Sequence, residues 1–167
     1  MGILNVNPHW EILDEKRIRF LHVIADEIKV PGCYMGGGTA LSLQMGLRKS
    51  VDFDFFTPVK FEPTTLFAVI KETFPVNEII EINVSGGTCD VNIDGVQMSW
   101  FYHPYAVLEP QVMLTGLQGL TLASPNEIAA MKASAIGGRG AKKDFFDLYH
   151  IIKLQPNLIA EMTKKLK

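Results

Sequence analysis

Between residues 8 and 29 the apolar positions Trp10, Ile12, Leu13, Ile18, Leu21, Ile24, Ala25 and Ile28 recur mostly at three- and four-residue spacing. Asp14, Glu15, Lys16 and Arg17 are left for a wet side. That period predicts one amphipathic helix, closed by Pro31-Gly32. Cys33, Tyr34 and Met35 form a short apolar step into Gly36-Gly37-Gly38. Residues 39–47 then predict a short helix, with Gly46 near its C-terminal end. At 51–56 the period changes to two. Phe53 and Phe55 alternate with Asp52 and Asp54, which predicts a strand with one apolar face and one carboxylate face. A helix over 64–74 and strands near 78–84, 88–93 and 96–102 follow. The last two are joined by Asp94-Gly95, the strongest short-range hairpin signal.

Proline and glycine punctuate 104–119, which reads as a loop-rich crossing with short apolar pieces. Ser124 as N-cap, Pro125 at the first helical position and Glu127 three residues after the cap form a capping-box pattern. The helix they open should run to Ile136 and stop at Gly137-Gly138, with further helices over 144–152 and 157–167. The sum is a mixed α/β (α+β) domain over 1–167, a small sheet with flanking and C-terminal helices. Phe145, Phe146, Leu148 and Tyr149 are expected in its core, as is the Trp100–Tyr102 pair.

Composition changes this picture little. The 167 residues are 47% hydrophobic with a net charge of -2 and a pI near 6.1, which excludes a chain-wide basic footprint but leaves a local basic groove open. Cys33 and Cys89 are too far apart in sequence for a disulfide framework or a zinc cluster. His9, His22, His103 and His150 lack zinc spacing. No apolar run approaches the ~18 residues of a membrane span, and the N-terminus lacks a charged-then-apolar leader. The expectation is a reduced, cytoplasmic protein.

Three features could carry chemistry. Asp52 and Asp54, at i and i+2 of a strand, point the same way about 6.5 Å apart, and two such carboxylates repel unless water or a cation separates them. Mg²⁺ suits them, because it takes oxygen ligands and keeps waters that phosphate oxygens can replace. The alternative is a solvated strand face carrying two acids. Gly36-Gly37-Gly38-Thr39 opens a helix, where glycines admit a phosphate and free amides favour an anion. It is also what a tight strand-to-helix turn requires, and it matches neither a Walker motif nor G-x-G-x-x-G. Arg48, Lys49 and Ser50 lie between the triplet and the acids, able to bind phosphate or to cover the surface.

The conjunction is more specific than its parts. Gly37-Gly38, thirteen residues, then Asp52-x-Asp54 within GGGTALSLQMGLRKSVDFDFF resembles the first motif of the minimal nucleotidyltransferases, relatives of DNA polymerase beta. More narrowly it resembles the AbiEii-type toxins of abortive-infection and toxin–antitoxin systems, in which GGTAL precedes Arg-x-Ser and Asp-hydrophobic-Asp-Phe-Phe. Arg48, Ser50, Asp52, Asp54, Phe55 and Phe56 match. A second block, EIAAMKASAIGGRGAKKDFFDLYHI, resembles that family's later segment, with Lys132, Arg139, Lys143, Asp144 and Asp147 in place. The resemblance spans roughly residues 33–150.

It implies a Mg²⁺-dependent transfer of a nucleoside monophosphate from an NTP to an acceptor, RNA such as a tRNA end or else a protein, by a toxin held in check by an antitoxin. Asp52 and Asp54 would hold two Mg²⁺ ions. Gly37, Gly38, Thr39, Arg48, Ser50 and Lys143 would contact the nucleotide. Lys132 would reach the phosphates or base from an otherwise exposed helix position, and Asp144 would be a second catalytic or orienting acid. Asp147 fits a salt bridge or a cap. The chain departs from the wider superfamily in one respect: no acid occurs between Val96 and His103, where a third carboxylate is common. A two-residue turn at Asp94-Gly95 would pair Asp90 with Ser99 and bring Asp90 beside the missing position as a third metal ligand. Otherwise Asp90 is a solvent-facing acid on an edge strand. The departure leaves open a catalytically weak nucleotide- or partner-binding module.

Overall fold

The structure, a computed structural model, describes residues 4–138 and 140–157. Arg139 and nearly all of the helix expected over 157–167 lie outside the described residues. The strands are β1 (Leu4–Val6), β2 (Tyr34–Gly36), β3 (Phe53–Thr57), β4 (Ile79–Ser85), β5 (Thr88–Ile93), β6 (Val96–Tyr102), β7 (Val112–Leu114) and β8 (Leu117–Leu122). The helices are α1 (Glu15–Glu27), α2 (Gly37–Met45), α3 (Pro63–Thr73), α4 (Pro125–Gly138) and α5 (Lys142–Leu154). Among the described residues the strands form one mixed sheet in the order β1-β7-β8-β2-β3-β6-β5-β4. The mixed α/β architecture with flanking helices is as expected.

The central strands read as their alternation predicts. Phe53, Phe55, Met98 and Trp100 are fully buried on one face, with Phe55 and Trp100 stacked at 4.8 Å between ring centroids. Ile24 and Ala25 of α1 and the capping Ile28 line a cavity against Phe55 and Trp100 on this face. Asp54 and Phe56 occupy the other face, where Phe56 stacks on Tyr34 and, with Met131 of α4, covers Gly36. At the β5–β6 turn both Asp94 (φ 47°) and Gly95 (φ 83°) are left-handed, the requirement of a tight primed turn. The ladder is the expected one, Ile93 with Val96 through Asp90 with Ser99.

Three expectations are corrected. The first helix does not begin near residue 8. Trp10–Ile12 is a separate 3₁₀ turn, Leu13 is extended, and the Asp14 carboxylate caps α1 by accepting from the Arg17 amide at 2.8 Å. The crossing at 104–119 contains β7 and opens β8, and β7 pairs with β1, a strand whose three residues carry no periodicity to find. The capping box at α4 is half formed. Ser124 Oγ accepts from the Glu127 amide at 3.1 Å, but the Glu127 carboxylate turns to the Leu108 amide at 2.7 Å.

Candidate active site

Asp54 sits where β2, β3 and β6 meet. Its position pairs with Gly36 on one side and Ser99 on the other, and Ser99 pairs with Asp90 of β5. Paired residues share a face, so Gly36, Asp54, Ser99 and Asp90 form a row across four strands. Asp52 stands half-buried just before β3, and its carbonyl accepts from Thr39 Oγ1 at 2.6 Å. Thr39 is buried, and its hydroxyl thereby ties the residue that leads into β3 to the first turn of α2.

The start of α2 lies against this row. A Cβ on Gly37 would stand 2.3 Å from Asp54 Oδ2, so the carboxylate rests directly over the glycine backbone. Gly37 also has φ 69°, which a side chain disfavours. A Cβ on Gly38 would stand 2.3 Å from Arg48 Nη2 and 3.1 Å from Ser50 Oγ. The glycine turn, Asp54, Arg48 and Ser50 therefore converge at the N-terminal end of α2. Amides in that first turn have no partner within the helix and favour negative charge. Gly37→Ala is expected to lower stability by about 1–2 kcal/mol through φ alone, and also to displace Asp54. Thermal unfolding measures the first effect, and an unchanged melting temperature would contradict it.

Behind Arg48 lies a buried ionic network. Its Nε and Nη2 donate to the two carboxylate oxygens of Asp147 at 2.7 and 2.8 Å, a bidentate pair. Lys132 Nζ bridges Asp144 Oδ1 at 2.8 Å and Asp147 Oδ2 at 2.9 Å. Both acids are fully buried and the Lys132 side chain is 6% exposed. Burial pushes the Asp147 carboxyl up, but the hydrogen bonds from Arg48 and Lys132 outweigh it and leave its pKa below the usual carboxylate value. The same bond to Asp147 raises the Arg48 pKa. Asp147 has the expected salt-bridge role. Lys132 is not the exposed helix lysine that the sequence suggested, because two carboxylates on α5 draw its amine inward. Lys143 is exposed on the first turn of α5.

Asp90 reaches the expected face, but its oxygens are engaged by neighbours. Ser99 Oγ donates to Oδ1 at 2.8 Å, and Gln97 Nε2 lies 3.1 and 3.2 Å from Oδ1 and Oδ2. Among the described residues no three of His, Cys, Asp or Glu come together to hold an ion. Asp90 thus stands two strands from Asp54 in the sheet, its carboxylate held by Ser99 and Gln97. The oxygen donors Asp52 and Asp54, with Asp54 over a glycine backbone that a Cβ would fill, fit Mg²⁺ in a different way. That ion commonly takes one or two carboxylates and completes its shell with waters and substrate phosphates.

Two features that lay outside the expectations are the linkage of Arg48 to Lys132 through Asp147 and the outward placement of the α5 aromatics. Phe145, Phe146 and Tyr149 are exposed rather than in the core, because Asp144, Asp147 and Ile151 take the inner face at i, i+3 and i+7. The i, i+3 spacing of the two acids was the available signal.

An acid-bearing central strand abutting a glycine turn at a helix start, within a small mixed sheet, is the architecture of the minimal nucleotidyltransferases. Two solved structures share the fold. One is a candidate nucleotidyltransferase from H. pylori, with TM-score 0.61 and 20% identity over 87% of this chain and 72% of that one. The other is the Megavirus polyadenylate synthase, with TM-score 0.59 and 15% identity over 83% of this chain and 31% of that one. The family described as nucleotidyl transferase AbiEii toxin, type IV TA system, matches residues 19–166, and the chain belongs to it. An uncharacterized protein of Aquifex aeolicus (strain VF5), aq_aa25, is 36% identical over 135 residues, which cover 80% of this chain and 64% of that relative. No helix among the described residues is long and apolar enough to cross a membrane.

Proposed function

We propose that the chain transfers a nucleoside monophosphate from an NTP to a macromolecular acceptor in a Mg²⁺-dependent reaction, and that it is the toxin of a pair with a cognate antitoxin. RNA, such as a tRNA end, is the favoured acceptor over a protein hydroxyl. The observation that carries this reading is the seat of Asp54 over Gly37, with Arg48 and Ser50 beside Gly38. Amides of the glycine turn and the Ser50 hydroxyl would bind the triphosphate, and Lys143 would add charge from α5. Asp52 and Asp54 would hold Mg²⁺. When bound, the ion supplies neutralisation of phosphate charge in an in-line displacement. An acceptor hydroxyl then forms a bond to the α-phosphorus, the bond to pyrophosphate breaks, and the hydroxyl proton is lost to solvent. Lys132 bridges Asp144 and Asp147, and Asp147 holds Arg48, so Lys132 and Asp144 act in this reading by positioning α5 and the Arg48 guanidinium.

A second reading, a nucleotide-binding module with little catalysis, is favoured by Ser99 standing beside Asp54 where an acid would complete the set. One experiment separates them. Each labelled NTP is incubated with the protein, Mg²⁺ and total RNA, and the RNA and protein are then recovered. Label on RNA that disappears with chelator is expected. A nucleotide that binds without being transferred supports the second reading, and no nucleotide binding at all overturns both.

A further inference from the structure

Helix α5 buries two acids beside Ile151 and turns three aromatic side chains outward. Its buried inner positions include both acids, Asp144 and Asp147, while its outer positions carry Phe145 (53% exposed), Phe146 (40%) and Tyr149 (59%). The remaining exposed positions of the helix are Lys142, Lys143, Lys153 and Leu154. We propose that this outer face is a stacking surface for single-stranded nucleic acid. On the transferase reading above, that strand is the acceptor, and only this last step rests on that reading.

Two observations point to such a ligand. The first is charge. Among the described residues from 125 to 157, Glu127, Asp144 and Asp147 are all buried, whereas three lysines are exposed. In a chain of net charge -2, the α4–α5 pair therefore presents only positive charge to solvent. The second is the kind of apolar surface between those lysines. Phe146 packs on His150 at 4.2 Å between centroids, Tyr149 meets the same imidazole edge-on at 5.2 Å, and Lys153 Nζ stands 6.0 Å from the Tyr149 ring. Rings braced on one helix and flanked by ammonium groups suit bases that stack and phosphates that pair, without a sequence requirement. A duplex hides its base faces and fits less well. A second copy docking by the same face would bring lysines against lysines, which a two-fold interface disfavours.

The location suits an acceptor. Asp147 on the inner side of α5 holds Arg48, whose Nη2 lies beside Gly38. The proposed surface is thus about one helix diameter, 10–12 Å, from the inner side that faces the glycine turn.

The test measures binding of a fluorescent single-stranded RNA to the full chain by anisotropy, with no NTP or Mg²⁺ present. Wild type should bind the single strand more tightly than the same sequence as a duplex. Phe146→Ser and Tyr149→Ser should each weaken it by about tenfold or more, from stacking contributions of ~1–3 kcal/mol per base. Lys142→Glu combined with Lys153→Glu should flatten the salt dependence. These positions are exposed, and circular dichroism should show an unchanged fold. NTP affinity, measured separately by calorimetry, should not change in Phe146→Ser or Tyr149→Ser. RNA affinity unaffected by all these substitutions overturns the proposal even if NTP is bound and transferred. RNA binding that needs α5 in a chain that binds no NTP upholds it and sinks the transferase reading instead. A change of oligomeric state in Tyr149→Ser, seen by light scattering, with RNA binding intact would mark the face as a protein interface and overturn it too.

Discussion

Asp54→Asn is expected to lower nucleotide transfer by about 10²–10³-fold, the order seen when one group that stabilises transition-state charge is removed. Asparagine keeps the shape of the side chain over Gly37 and removes its charge. The substitution is isosteric, and Phe53 and Phe55 on the same strand supply the core packing, so the fold should be retained with a change in Tm of only a few degrees. The loss should thus fall on turnover and on the Mg²⁺ dependence of nucleotide binding, not on folding. Asp52→Asn should behave alike, since the contact that anchors Asp52 to Thr39 is made by its backbone carbonyl and survives the substitution. Wild-type rates in both single variants would remove the proposed metal site. Loss of activity together with a large fall in Tm would instead show that Asp54 holds the structure.

Much of this site is legible because its signals are local. The period-two run at β3 places Phe53 and Phe55 in the core and Asp54 on the other face from the pleat alone. The Asp94-Gly95 turn fixes the β5–β6 register, since two left-handed residues in succession admit one tight turn, and the Asp90–Ser99 contact follows. What is illegible depends on partners distant in sequence. β1 and β7 are three residues each and exist because Leu4–Val6 pairs with Val112–Leu114. Around residues 8–13 the apolar stripe continues through Trp10, Ile12 and Leu13 although the helix does not, and only the Asp14 cap marks where it begins. On α5 the hydrophobic rule holds for Ile151 and fails for Phe145, Phe146 and Tyr149. Asp144 and Asp147 turn inward to Lys132 and Arg48, so the aromatics that would ordinarily be buried face outward.

Lys132→Met is expected to destabilise the fold by about 3–5 kcal/mol, a fall in Tm on the order of 10 °C, although the substitution replaces a charge with an apolar chain of similar length. The cost lies in what remains. Asp144 loses the Lys132 ammonium 2.8 Å away, and Asp147 keeps only Arg48, with both carboxylates fully buried. Lys132→Met with Asp144→Leu should recover part of the loss, because a buried ion pair replaced as a whole by apolar groups is often neutral or better. A cycle in which the double variant is no more stable than the single one would show that the two side chains do not act together. The pH dependence has a definite sign. The folded pKa of Asp147 is below its ordinary value of 3.8, so its contribution is present above that value and is lost as pH falls through the lower folded pKa. Removing the Lys132 hydrogen bond moves the folded pKa back upward, so the variant should show less of this acid-dependent stability between neutral pH and the acid limit. Denaturant titrations of wild type and Lys132→Met across the acid range measure the difference. Parallel stability curves would mean that Asp147 owes its lowered pKa to Arg48 alone.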